Sequence, residues 1–294
     1  MKIGVIGAGK WGQALHFSFL INYDSYITSR TKRDIKNFIS IKEILDIEYL
    51  VFALSAQNAR EWMEKNFIFK SQKMLIASKG IEAESGKFLN EVFSNFLPED
   101  NLSFISGPSF ASEVMQKLPT ALVISSTSKE CATTFGEFFP DFIKTYIDDD
   151  VIGAEIAGAY KNVLAIASGV CNGLGLGNNA RASLISRGLV EMSRFGLFFG
   201  AKQETFLGLS GSGDLFLTAS SELSRNYRVG KYLAQGETVD DILIKLGEVA
   251  EGIATTKAVC KLSDKHKIYT PIAKEVNEIL GGKHPRKSLR DLLA

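Results

Sequence analysis

Short apolar runs separated by stretches of helical period dominate the first half of the chain. Lys2-Ile3-Gly4-Val5-Ile6 is such a run and ends in Gly-Ala-Gly, which predicts a buried parallel strand entering a tight turn. From Trp11 to Leu20 the apolar spacing becomes helical. Ser25 to Thr28 predicts a second strand and Tyr49 to Leu54 a third, with Met74–Ala77, Leu102–Ile105 and Thr120–Ile124 following. Helical stretches separate most of these strands, and that alternation predicts an α/β fold built on a doubly wound, mostly parallel sheet.

After about Asp150 the strand-like runs largely stop. Ile152–Val170, Ala182–Phe199, Val239–Leu246, Val249–Lys267 and Ile272–Leu280 read as helices, so this half is expected to be all-α. A chain of 294 residues suits two domains, because single cores usually stop growing before that size. The expected division is 1–150 and 151–294. The acidic run Asp148-Asp149-Asp150 suits a linker and equally a solvated turn. The sequence contains no internal repeat or low-complexity segment.

Composition then narrows the chemistry. A hydrophobic share of 45% and a charged share of 23% are ordinary for a globular protein. The formal charge of +1, from 34 basic and 33 acidic residues, provides no field for nucleic acid or a membrane surface. Any anionic ligand must therefore be held by a few local cations. Cys131, Cys171 and Cys260 are scattered, as are His16, His266 and His284, so neither a disulfide framework, a metal motif nor a Ser-His-Asp triad is expected. Acid–base chemistry falls to Lys, Asp or Glu. The opening residues carry Gly7, Gly9, Lys10, Gln13 and His16, which fits a first strand better than a signal peptide. No run approaches the ~18 apolar residues of a membrane span, and the expectation is a cytoplasmic protein without membrane insertion.

Gly7-Ala8-Gly9-Lys10-Trp11-Gly12 is G-x-G-x-x-G between a strand and a helix. The first glycine permits the tight turn, the second lets a pyrophosphate approach the backbone, and the third allows close helix–strand packing. Alone the pattern is weak. In this context it favours dinucleotide binding by a Rossmann-type domain over a structural turn. Where NAD-binding folds usually carry an acid ~20 residues on, this chain has Ser29-Arg30-Thr31-Lys32-Arg33. Arg30 and Arg33 suit a ribose 2′-phosphate, so NADP(H) is favoured and NAD(H) stays compatible. A basic surface turn is the plain alternative.

Four further patterns follow in order: Ala77-Ser78-Lys79-Gly80-Ile81-Glu82, Ser106-Gly107-Pro108-Ser109-Phe110-Ala111, Gly158-Ala159-Tyr160-Lys161-Asn162-Val163, and Gly211-Ser212-Gly213-Asp214-Leu215 continuing to Ser224-Arg225-Asn226. With the glycine loop they resemble the bacterial NAD(P)-dependent glycerol-3-phosphate dehydrogenase family over essentially the whole chain. No single motif is decisive, whereas their joint order and spacing are highly specific.

The resemblance implies an oxidoreductase that interconverts glycerol 3-phosphate and dihydroxyacetone phosphate, in the cell mainly reducing the ketone for glycerophospholipid synthesis. It implies Lys161 as general acid/base and Lys79 near both substrate and cofactor. Gly107, Ser109, Asp214, Ser224, Arg225 and Asn226 match substrate positions. Gly7, Gly9, Lys10, Trp11, Gly12, Arg30, Arg33, Ala111, Arg225, Val249 and Glu251 fall on the cofactor side. Hydride addition to a ketone leaves a developing alkoxide, which an ammonium can stabilise and then protonate. Burial and Lys79 would lower the Lys161 pKa while Asp214 would raise it, and the sequence leaves that balance open. A homodimer is the expected assembly.

Each residue has a plainer reading. A lysine on an Ala-rich helix is usually solvated, Asp214 or Ser224 could be a helix cap, and Arg225, Arg228 and Lys231 could form a basic helix face. Ala53-Leu54-Ser55-Ala56-Gln57 lacks the proline common in the family, Ser109 stands where threonine is common, and Ser212-Gly213 stands where apolar residues are frequent. Rival functions are a 6-phosphogluconate- or hydroxy-acid-type dehydrogenase and a non-enzymatic NADP(H) sensor.

Overall fold

The structure is a computed structural model that describes residues 1–247 and 250–288. The strands among them are β1 (Lys2–Ile6), β2 (Asp24–Thr28), β3 (Tyr49–Phe52), β4 (Lys73–Ile76), β5 (Leu102–Ser106), β6 (Thr120–Ser125) and β7 (Ile143–Asp148). Between them lie helices α1 (Lys10–Phe19), α2 (Ile41–Ile44), α3 (Ala59–Asn66), α4 (Leu89–Phe93), α5 (Ala111–Met115) and α6 (Lys129–Glu137). The second half holds α7 (Val151–Gly173), α8 (Gly177–Phe198), α9 (Gln203–Leu207), α10 (Asp214–Ser220), α11 (Arg225–Ala234), α12 (Val239–Leu246), α13 (Glu251–His266) and α14 (Pro271–Leu280).

The sheet order is β2-β1-β3-β4-β5-β6-β7, parallel except between β5 and β6. Strand side chains alternate between faces, so Ile3, Val5, Val51 and Leu75 join a core under α1 and α6, while Ile6, Leu50, Phe52 and Met74 join a second core under α2, α3 and α4. Because β2 lies on one side of β1 and β3 on the other, the chain reverses direction there. Ligands of open α/β sheets bind at that switch point, at the carboxyl ends of the strands.

The sequence leaves β7 unassigned. Its burial alternates weakly, with Lys144, Tyr146 and Ile147 exposed at the sheet edge, so no continuous apolar run marks it. The acidic run is only partly solvated: Asp149 is exposed and pairs with Lys202 at 2.5 Å. Asp148 ends β7, and Asp150, 5% exposed, caps α7 at Gly153 N (2.9 Å) and accepts from Lys202 N (2.8 Å) and Thr205 Oγ1 (2.5 Å).

Helix α7 is apolar nearly all round, and a helix of that kind has to be buried on every side. It is the axis of the helical half, flanked by α8, α10, α11, α13 and α14. Its approach to α11 is close: a Cβ on Gly169 would sit 2.0 Å from Tyr227 O, and one on Gly230 would sit 2.0 Å from Ile166 O. That contact sets the N-terminus of α11 beside the middle of α7.

Candidate active site

The glycine turn has three different environments. Gly7 has φ +115, and a Cβ there would meet Ala53 O at 2.7 Å; one on Gly12 would meet Gly7 O at 1.9 Å. Gly9, by contrast, would place a Cβ with nothing within 4 Å. Two glycines are thus required by the fold, and the third leaves backbone open to a ligand. Helix α1 begins there without a side-chain cap or an acid in its first turn, so its free N–H groups and positive dipole end favour an anion.

In the helical half, a carboxylate sits between two ammonium groups. Asp214, 1% exposed, accepts from Lys161 Nζ through Oδ1 and from Lys79 Nζ through Oδ2, the latter at 2.7 Å. Lys161 hangs from the buried α7, Lys79 from the loop after β4, and Asp214 opens α10. Lys161 also donates to Thr218 Oγ1 at 3.1 Å. Burial pushes the Lys161 pKa down to about 8 against the pull of Asp214, with Lys79 adding to the drop. Burial alone would raise Asp214, but the two lysines outweigh it and hold its carboxyl below the ordinary value. The pair is therefore a buried ammonium at the edge of losing its proton beside a fixed negative charge.

Asp214 is not a helix cap. It lies inside the first turn of α10, after one π-helical turn over Leu209–Gly213, and its carboxylate points at the lysines. That turn faces the β5 loop: Ser210 Oγ and Ser106 Oγ lie 2.7 Å apart, and a Cβ on Gly213 would be 3.7 Å from Pro108 Cδ. Gly107, at φ +106, and Ser109, whose hydroxyl donates to Gly107 O at 3.1 Å, are carried by this loop. Ala111 follows at the start of α5, which packs on α1.

Ser224 is a cap, its hydroxyl accepting from Tyr227 N at 3.3 Å. Arg225 is exposed at the first turn of α11. Asn226 turns inward: its Nδ2 donates to Asn162 Oδ1 (2.9 Å), and its Oδ1 accepts from Gly252 N (3.0 Å), which leaves one amide N–H. Glu251, at the start of α13, accepts from Ala56 N at 3.4 Å, joining the helical half to the loop after β3. Burial raises its carboxyl, opposed by that N–H and by Arg225. Val249 lies outside the described residues.

The loop without the family's proline is secured otherwise. Ser78 Oγ donates to Leu54 O (2.6 Å), and Gln57 bridges Ile81 O (2.8 Å) and Ala83 N (2.9 Å). Lys10 and Trp11 open α1, with Lys10 exposed and Trp11 Nε1 buried without a partner. Arg30 and Arg33 are exposed beyond β2, whose last residue, Thr28, pairs with Ile6 just before the glycine turn. Arg228 is half-buried rather than solvated, while Lys231 pairs with Glu222 at 2.5 Å.

Sequence reasoning missed two polar groups in the centre. Thr218 follows Asp214 by one helical turn, a spacing that puts both on one face. Asn162 directly follows Lys161, and only its bond to Asn226 reveals a place in the site. Among the described residues no group of three His, Cys, Asp or Glu side chains could hold a metal, and no helix is long and apolar enough to cross a membrane.

This chain is similar to known proteins along its whole length. The model described as the NAD-dependent glycerol-3-phosphate dehydrogenase N-terminus matches residues 29–132, and that of the C-terminus matches 150–290. A glycerol-3-phosphate dehydrogenase (NAD(P)+) from Campylobacter jejuni subsp. jejuni is 62% identical over 293 residues, covering 100% of this chain and 99% of the relative. One of the same name from Nitratiruptor sp. is 59% identical, covering 100% and 98%. The crystal structure of glycerol-3-phosphate dehydrogenase from Coxiella burnetii superposes with a TM-score of 0.92 at 31% identity, over 99% of this chain and 98% of that one.

Proposed function

The chain belongs to the NAD-dependent glycerol-3-phosphate dehydrogenase family, and from that we propose that it interconverts glycerol 3-phosphate and dihydroxyacetone phosphate using NADP(H) or NAD(H). The observation that carries this reading is the Asp214 carboxylate held between Lys161 and Lys79. The open backbone at Gly9 and the uncapped start of α1 fit a dinucleotide pyrophosphate. When bound, the nicotinamide supplies or accepts the hydride.

The protein's own groups do the rest. In ketone reduction Lys161, as ammonium, stabilises the developing alkoxide and gives it a proton; in alcohol oxidation the neutral amine removes that proton. Asp214 holds the ammonium in place, and Thr218 fixes its rotamer. Lys79, aided by the Gly107–Ser109 loop, orients the substrate. Arg225 and the free N–H groups opening α11 hold the substrate phosphate, with the remaining N–H of Asn226 beside them. Glu251 and Ala111 face the cofactor. Arg30 and Arg33 pair with a 2′-phosphate, so NADP(H) is preferred.

The working division is a dinucleotide-binding unit over 1–150 and a catalytic unit over 151–294. In the cell the enzyme is cytoplasmic, makes glycerol 3-phosphate for glycerophospholipids, and works as a homodimer. Initial rates with dihydroxyacetone phosphate, comparing NADPH with NADH, test the reading. Turnover with both and a lower KM for NADPH is expected; turnover with neither overturns it.

A further inference from the structure

The basic loop that follows β2 does not stand by itself. Residues 37–39 return along β2: Ile27 N donates to Asn37 O (3.1 Å), Ile39 N donates to Ile27 O (3.0 Å), and Thr28 Oγ1 donates to Ile39 O (2.8 Å). At the junction between this return and the exposed arginines stands Lys36, whose carbonyl is bonded from below by a side chain of α1. That side chain is His16, 3% exposed, with Nε2 at 2.9 Å from Lys36 O and Nδ1 at 2.7 Å from Ser25 Oγ.

A carbonyl only accepts, so Nε2 carries the hydrogen. Burial keeps the imidazole pKa below its ordinary value, the Lys36 carbonyl opposing and the Lys36 charge adding to the drop, so the ring is neutral and Nδ1 accepts from the Ser25 hydroxyl. The ring is a rigid spacer between β2 and the loop, mounted on the helix that starts at the glycine turn. Its rigidity matters because a bidentate guanidinium–phosphate contact tolerates little misplacement.

We propose that His16 is a positioning residue for cofactor choice: by holding Lys36 against α1 and β2 it sets the loop that presents Arg30 and Arg33 to a ribose 2′-phosphate. This rests on the reading of those arginines given above. The His16 bond is to the loop that carries the arginines, and only NADP(H) has a 2′-phosphate for them to hold, so its effect falls on NADP(H) and spares NAD(H), a split that a merely structural role would not produce.

The test is binding of NADPH and NADH, each followed by cofactor fluorescence, in the wild type, His16→Leu, Ser25→Ala and the double variant Arg30→Ala/Arg33→Ala. In His16→Leu, NADPH is expected to bind about tenfold more weakly, with NADH within about twofold. Ser25→Ala moves the ratio the same way by less, and carries the test alone if His16→Leu does not fold. If NADPH and NADH weaken equally, or neither changes, while the double variant weakens NADPH selectively, the role of His16 is overturned. A double variant with the wild-type ratio overturns the arginine reading and this inference with it.

Discussion

Asp214 meets Lys161 across 53 residues of chain, one residue opening α10 and the other buried in the middle of α7. Neither charge is tolerable in that position without the other. A carboxylate 1% exposed needs the ammonium, and the ammonium, whose pKa burial lowers, stays charged at neutral pH because the carboxylate is there.

Lys161→Ala is therefore expected to lower kcat by about 10²–10⁴-fold while NADPH binding changes little, since the glycine turn lies on the other half. Stopped-flow turnover and cofactor fluorescence measure the two. Near-normal turnover would remove the acid/base role.

The pH profile follows from the same group. With a pKa of about 8, Lys161 is the ammonium below that value and the amine above it. Ketone reduction needs the proton and should fall as pH rises through about 8, whereas alcohol oxidation should rise. In Asp214→Asn the opposing charge is lost, the like charge of Lys79 remains, and the reductive limb should move to lower pH. Profiles of kcat/KM against pH in both directions check the sign.

The three glycines separate folding from binding. Gly12→Ala forces a Cβ into Gly7 O at 1.9 Å and should lower Tm, because overpacking costs about 1–3 kcal/mol or more. Gly9→Ala meets nothing and should leave Tm nearly unchanged, yet weaken cofactor binding about tenfold or more through contact with the pyrophosphate. Thermal melts with and without NADPH distinguish the two outcomes.

Glu155 on α7 gives a stability prediction. One of its oxygens accepts from Asn90 N at 3.0 Å, while Glu155 Oε2 and Asn90 Oδ1 are buried without partners. Burial raises this carboxyl to about 8. A raised folded pKa means the native state binds the extra proton, so stability is fully present below the unfolded value of 4.5 and declines as pH rises towards about 8. The slope is at most ~1.4 kcal/mol per pH unit. Glu155→Gln, which mimics the neutral acid, should flatten the fall in Tm between pH 4.5 and about 8. A variant whose Tm falls as steeply as the wild type's would show that Glu155 is ionised in the fold.

Much was legible in the chain. The apolar runs of β1 to β6 and the helical periods of α7, α12 and α14 are local signals, and the bounds expected for those six strands lie within about two residues of the observed ones. The glycine turn was equally clear, because its three glycines fall within six residues directly between an apolar run and a helical period. β7 was not, since an edge strand with polar alternation lacks an apolar run, and Asp150 as a buried cap was hidden because its partners Lys202 and Thr205 are distant in sequence.

By itself, then, the sequence determined the sheet, the helical half and the family, all of which depend on short-range periodicity or on ordered motifs. Tertiary structure alone decided which charges meet. Burial, the largest cause of the lowered Lys161 pKa, depends on every helix packed around α7, and the bridge from Lys161 through Asp214 to Lys79 joins three elements remote along the chain. Desolvation and pairing are properties of the packed molecule, and no local pattern encodes them.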